Sequence, residues 1–186
     1  VNDDRTLIDR ALQGDSAAFG QLVRRYQDRL FTGLVHMVSC REEAEDVVQD
    51  TFVRAYEKLN AFRQDSAFYT WLYRIAVNTA LYRQRQRRQE PAGEPAQPGA
   101  EPSDPTGNPS EHLLRAERAR DVRQALGQLA EEFRMVLVMR DVEGFDYQTI
   151  ARILDISVGT VRSRLHRARS SMRELLRHHY QGSRPE

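Results

Sequence analysis

The sequence predicts an all-α protein of two small helical domains joined by a flexible Pro-rich linker, and three observations carry that expectation. Apolar residues recur at spacings of three and four through both ends of the chain, the period of a helix buried on one face. Between those ends, residues 90–110 hold six of the seven prolines and no base, a composition that cannot bury a core. From Gly144 to Met172 two helical periods lie three residues apart, the pattern of a helix-turn-helix. The expected boundaries are therefore 1–89, 90–110 and 111–186.

Length and composition narrow the class. A chain of 186 residues is long enough for a core in each of two small domains. Its 28 basic and 27 acidic residues nearly cancel, yet every base except Lys58 is Arg, the side chain suited to forked recognition of phosphates and guanines. The lone Cys40 excludes an internal disulfide framework. The densest apolar run, Met135 to Met139, is far shorter than a membrane span, and no signal-peptide pattern occurs. A reducing cytoplasm is the expected compartment.

Taken in order, Asp3 to Gly14 reads as a short helix with Leu7, Ile8, Ala11 and Leu12 on one face and Gly14 ending it. Asp15 caps the next, whose buried side is Phe19, Leu22, Val23, Tyr26, Leu30, Leu34, Val35 and Val38. Ser39-Cys40-Arg41-Glu42 matches a capping box and opens a long helix. Its inner side is Ala44, Val47, Val48, Thr51, Phe52, Ala55, Tyr56 and Leu59, leaving Glu42, Glu43, Glu45, Asp46, Gln49 and Asp50 on or near its outer side. The helix dipole accounts for acids in the first turn. It accounts less well for Asp46, Gln49 and Asp50, where a solvated face and a docking face for a basic protein are both open readings.

Asn60 to Asp65 is a polar loop, and from Ser66 a helix runs through AFYTWLYRIAVNTALYRQRQRR. Phe62, Phe68, Tyr69, Trp71 and Tyr73 crowd its start, while Leu72, Ile75, Ala76 and Thr79 mark a buried side with Trp71. A helix cannot point Tyr69, Trp71 and Tyr73 the same way, so one or two rings belong near the surface, beside Arg74, Asn78, Arg83, Arg85, Arg87 and Arg88. Aromatic planes among Arg and Asn suit an unstacked base; a small aromatic core with a charged tail is the plainer reading of the same residues.

Beyond the linker, Glu111 to Leu126 is helical with Leu114, Val122, Ala125 and Leu126 inward, and a second helix from about Ala130 carries Phe133, Val136, Leu137 and Arg140. In the helix-turn-helix, Asp146 caps a helix with Tyr147, Ile150, Ala151 and Leu154 on one face. Asp155-Ile156-Ser157 breaks the period, and Ser157 caps a second helix that buries Val158, Val161, Leu165, Ala168 and Met172. Its other side shows Gly159, Thr160, Ser163, His166, Arg167 and Ser170, flanked by Arg162, Arg164, Arg169 and Arg173, with no acid from Val158 to Arg173. Hydroxyls and Arg forks reach base edges and flanking Arg holds phosphates.

No glycine-rich phosphate loop, nucleophile elbow or paired Cys/His spacing occurs, and His178-His179 lacks further ligands, so neither catalysis nor a metal or other cofactor is expected. EEAEDVVQDTFVRAYEKL, DSAFYTWLYRIAVNTA and EGFDYQTIARILDISVGTVRSRLHRAR, in this order, resemble regions 2.2, 2.3 to 2.4 and 4.2 of the extracytoplasmic-function (ECF) class of bacterial sigma factors, closest to the RpoE/AlgU-type envelope-stress branch. The resemblance covers Leu7 to Leu176 and implies a dissociable specificity subunit that binds core RNA polymerase, reads promoter DNA at the minus-35 and minus-10 elements and helps melt it.

By that resemblance Asp46, Gln49 and Asp50 dock on the β′ clamp helices, and Phe62, Ser66, Phe68, Tyr69, Trp71 and Asn78 take and read a flipped minus-10 base. Arg140, Thr160, Arg162, Ser163, His166 and Arg167 meet minus-35, the second domain sits on the β flap, and the linker threads the RNA channel with Glu94, Glu101 and Asp104 imitating nucleic-acid charge. An anti-sigma factor, often membrane-bound, is the implied regulator, and no small-molecule substrate is implied. Tyr82 and the RQRQRR that follows depart from the family pattern at the upstream edge of minus-10, and His166 stands where an aromatic is usual. The alternative, a free-standing helix-turn-helix regulator, uses only the second domain and explains neither the acidic helix nor the aromatic stretch.

Overall fold

A computed structural model describes residues 4–38, 40–89 and 109–182, with side chains described for 4–38, 40–87 and 118–177. Among the described residues the chain is helical without strands. The helices are α1 (Asp4–Leu12), α2 (Ser16–Val35), α3 (Arg41–Glu57), α4 (Phe68–Gln89), α5 (Pro109–Gln128), α6 (Glu131–Leu137), α7 (Tyr147–Leu154) and α8 (Val158–Gly182). They form two compact units, one of α1 to α4 and one of α5, α6, the greater part of α7, and α8.

In the first unit α2 packs against α1, α3 and α4, and α3 against α4. Leu7, Ile8, Leu22, Leu30, Leu34, Val47, Leu72, Tyr73 and Val77 are fully enclosed. Gly14 closes α1 as expected: its N–H donates to Ala11 O at 3.0 Å with φ at +97°, a conformation a side chain resists. Asp15 then caps α2, accepting the Ala18 N–H at 3.1 Å on one carboxylate oxygen and the Arg10 guanidinium at 2.6 Å on the other. Two more contacts hold α1 to α2, from Arg25 and from the Tyr26 hydroxyl to the Asp4 carboxylate.

Three residues of this unit, Leu12, Tyr56 and Glu43, lie on the opposite side from the one expected. Leu12 is exposed because it ends α1 about 140° round the helix from Leu7. Tyr56 is 47 % exposed, about half a turn from Val47, with its ring 5.0 Å from that of Phe19. Glu43 is 3 % exposed, since one turn before Val47 it shares that buried side. Val38 lies beyond the end of α2 and is half-buried. Ser39 of the expected capping box is outside the described residues; the cap position belongs to Cys40, whose side chain makes no cap bond.

The second unit packs α8 against α5 and α6. Buried Leu126, Met135, Val136, Val138, Met139, Ile150, Val161, Leu165 and Ala168 fill it. After Leu137 the helix widens into a π turn over Val138–Val142, with the Glu143 N–H reaching Val138 O at 3.1 Å and the Phe145 N–H reaching Met139 O at 3.0 Å. The wide turn keeps Val138 and Met139 buried while delivering Asp141 to the surface, an arrangement no 3.6-residue period signals. Val122, expected inward, is exposed on the wall of a groove of about 820 Å³ floored by Leu126, Leu165 and Met172. Leu114 and residues 90–108, including Glu94, Glu101 and Asp104, lie outside the described side chains, as do His178 and His179.

Candidate nucleic-acid interface

The helix-turn-helix is built by two side-chain caps around one unusual backbone position. The Thr149 N–H donates to Asp146 Oδ1 at 2.6 Å, which starts α7. Asp155 adopts φ +53°, a left-handed conformation that Asp tolerates, and the Ile156 N–H closes the turn onto Ala151 O at 3.0 Å. Ser157 Oγ accepts the Thr160 N–H at 3.0 Å and lies 2.8 Å from the Thr160 hydroxyl. The expected cap positions are those found, because a cap is settled by three or four adjacent residues.

On α8, Gly159, Arg162, Ser163, His166 and Arg167 are exposed opposite buried Val161, Leu165 and Ala168. Thr160 is half-buried, and the Ser163 hydroxyl donates to Thr160 O at 3.0 Å, which leaves its oxygen free to accept. The arginines fall into two groups. Arg164 is paired with Glu132 at 2.7 Å and Arg169 with Asp141 at 2.7 Å, so these two clamp α8 to α6 and to the π turn. Arg173 donates to Arg169 O and Ser170 Oγ, both at 3.3 Å. Arg162 and Arg167 have no ion pair among the described residues and carry their charge to solvent with His166. Arg140 stands on the π turn, donating to Phe145 O at 2.9 Å with its guanidinium 5.2 Å above the Tyr147 ring.

The aromatic stretch is more buried than its composition suggested. Phe62, Phe68 and Tyr69 are buried with Tyr73, and Trp71 alone of the five is half-exposed. Phe68 meets Phe62, Trp71 and Tyr26, each at 5.7 Å, while Tyr69 stacks on Tyr26 at 5.4 Å and carries Arg29 4.0 Å above its ring. Those rings satisfy one another, so the expected stacking walls at Phe62, Phe68 and Tyr69 lie beneath the surface. Ser66 is half-buried, with its hydroxyl 3.5 Å from Ala67 O. Exposed along one side of α4 are Arg74, Asn78, Tyr82 and Arg85, spaced by three or four residues and continuing the row that half-buried Trp71 begins. Tyr82 lies within 5.8 Å of Arg54.

On α3, Asp46 and Gln49 are exposed and Asp50 is partly so. Here the structure adds what the sequence did not suggest: the arginines of the α4 tail fold back on these acids. Arg83 Nε and Nη2 donate to Asp50 Oδ2 at 3.0 and 2.8 Å, and its Nη1 donates to Asp46 Oδ2 at 2.8 Å. One turn on, Arg87 donates to Glu43 at 3.1 Å. Burial works against the Arg83 charge, but the hydrogen bonds to Asp46 and Asp50 outweigh it and raise its pKa. Among the described residues no three His, Cys, Asp or Glu side chains converge as a metal site, and no helix is long and apolar enough to cross a membrane.

Two family models match the chain: sigma-70 region 2 over residues 22–90 and sigma-70 region 4 over residues 119–172. The chain is 40 % identical over 180 residues to the RNA polymerase sigma-H factor of Pseudomonas aeruginosa, covering 93 % of each. It is 42 % identical over 176 residues to the ECF RNA polymerase sigma-E factor of Escherichia coli, covering 91 % of this chain and 92 % of that one. Among solved structures it resembles the sigma factor RpoE of Bartonella quintana, crystallised with the anti-sigma factor NepR, with a TM-score of 0.67 and 27 % identity over 86 % of this chain and 96 % of the other. With relatives of that identity matching over nearly its whole length, and region 2 preceding region 4, the chain belongs to the ECF sigma factors of the sigma-70 family.

Proposed function

We propose that this chain is a non-enzymatic specificity subunit that joins core RNA polymerase in the cytoplasm and directs transcription initiation at promoters carrying its own minus-35 and minus-10 elements. Residues 1–89 dock on polymerase and open minus-10, residues 90–110 form the acidic linker, and residues 111–186 read minus-35. The observation that carries this reading is the exposed face of α8, where Arg162, Ser163, His166 and Arg167 stand on a helix fixed by the Ser157 cap and by two arginine clamps. A helix held so firmly enters a major groove with its side chains already positioned, and free Arg forks then meet guanine edges and phosphates. Thr160 and Arg140 border that face.

At minus-10 the reading surface is Trp71 and Asn78 with Ser66, supported from below by Phe62, Phe68 and Tyr69. Extracting a base from the stack costs a few kcal/mol, which a plane to stack on and edge donors offset. Asp46, Gln49 and Asp50 meet the basic clamp helices of β′, and the second unit sits on the β flap. The complex of the Bartonella relative with NepR supports an anti-sigma factor as the regulator of this chain also.

The test is run-off transcription from fragmented genomic DNA by bacterial core polymerase with and without this protein, sequencing the new 5′ ends. New starts that share two upstream boxes are expected and define both elements. Core binding without new starts overturns the promoter-reading half of the proposal; loss of core binding overturns all of it.

A further inference from the structure

The acidic face of α3 is not empty in the isolated chain, because one guanidinium already occupies it. Arg83 donates hydrogen bonds to both Asp46 and Asp50, and its own side chain is only 28 % exposed, whereas the side chains of Asp46 and Asp50 remain 59 % and 39 % exposed. A cationic partner approaching these carboxylates meets a fixed positive charge that cancels half of what attracts it. Arg87 differs: its acceptor, Glu43, is buried and offers a partner nothing, so this pair holds α4 to α3. The two arginines, one turn apart, thus divide the work, Arg87 fastening the helices and Arg83 covering the face.

From this we infer that Arg83 is an internal competitor for the polymerase-docking site, an arginine of the chain itself that must release Asp46 and Asp50 before arginines or lysines of the partner take them. The inference rests on the reading of Asp46, Gln49 and Asp50 as the docking residues. Release is inexpensive, since partly exposed ion pairs are weak and the freed guanidinium returns to water. Binding in its presence is correspondingly weaker and less salt-dependent than the carboxylates alone would give, because Arg83 screens their field. The sequence around Arg83, a run of RQRQRR, supplies the competitor; the crossing of α4 over α3 aims it.

The test measures the affinity of the full chain for core RNA polymerase across a salt series for wild type, Arg83→Gln, Arg83→Lys and Asp46→Asn/Asp50→Asn, with helicity and unfolding midpoint as the folding control. Arg83→Gln is expected to bind roughly two- to tenfold tighter with a steeper salt dependence. Arg83→Lys should lie between, and the gain should vanish when Arg83→Gln is placed on the Asp46→Asn/Asp50→Asn background. If Arg83→Gln folds and binds equally or more weakly while Asp46→Asn/Asp50→Asn is impaired, the competitor idea is wrong and the docking site stands. If Asp46→Asn/Asp50→Asn binds like wild type, the docking assignment itself fails and takes the inference with it.

Discussion

Arg87 on α4 donates to Glu43 on α3 across 3.1 Å, joining a half-exposed guanidinium to a carboxylate that is almost wholly buried. A buried carboxylate strongly favours keeping its cation, so this pair fixes the approach of the two helices. Arg87→Ala is expected to destabilise the first unit by about 1 to 3 kcal/mol, discounted for the solvent that reaches Arg87. Urea unfolding of the full chain measures it. An unchanged midpoint would show that Glu43 is held well enough by its other surroundings.

Arg167 and Arg164 lie on the same helix but have different employment. Arg167 faces solvent, so Arg167→Ala should weaken binding to a cognate minus-35 duplex by about 1 to 3 kcal/mol and narrow the gap to a scrambled duplex. Arg164 is committed to Glu132 at 2.7 Å, and Arg164→Ala should leave that gap as it is while lowering stability by at most about 1 kcal/mol. Electrophoretic or anisotropy titrations of both variants on both duplexes decide it; equal effects of the two substitutions would refute the division.

Phe68 and Trp71 belong to one ring cluster and are separated by burial. Phe68→Ala removes a buried ring that touches three others and should cost about 3 to 5 kcal/mol of stability. Trp71→Ala, at a half-exposed position, should cost less stability and more promoter opening. Calorimetric melting and permanganate footprinting of the open complex separate the two effects. A Phe68→Ala chain that melts normally but fails to open DNA would place that ring on the surface after all.

Tyr26 lies between Asp4 and the stacked ring of Tyr69. Burial first, then its hydrogen bond to the Asp4 carboxylate, push the phenol from the ordinary 10.0 up to about 12. A folded pKa above the unfolded one means that the stabilisation is whole below pH 10.0 and is lost as pH rises through about 12. The difference in tyrosinate absorbance between wild type and Tyr26→Phe should therefore be centred near the upper value. A difference titration centred on the ordinary value would show the phenol to be free of Asp4.

Much of this molecule is written locally. The helical periods, the glycine that closes α1, the caps at Asp15, Asp146 and Ser157 and the three-residue turn of the helix-turn-helix all depend on neighbours within about one helical turn, so the residues themselves determine them. For the same reason the acid-free arc of α8 could be read with its exposed Arg162, Ser163, His166 and Arg167 in place. The tertiary structure alone decided which charges remain available. Arg83, Arg87 and Arg169 find acids 28 to 44 residues away, on helices whose crossing no period encodes. It also decided that Phe62 and Phe68 face each other and Tyr69 faces Tyr26 rather than solvent, and that a π turn brings Asp141 out to Arg169. Helix formation is settled by spacing along the chain; the pairing of charges and rings is settled by where separate helices meet, and that is a property of the packed whole.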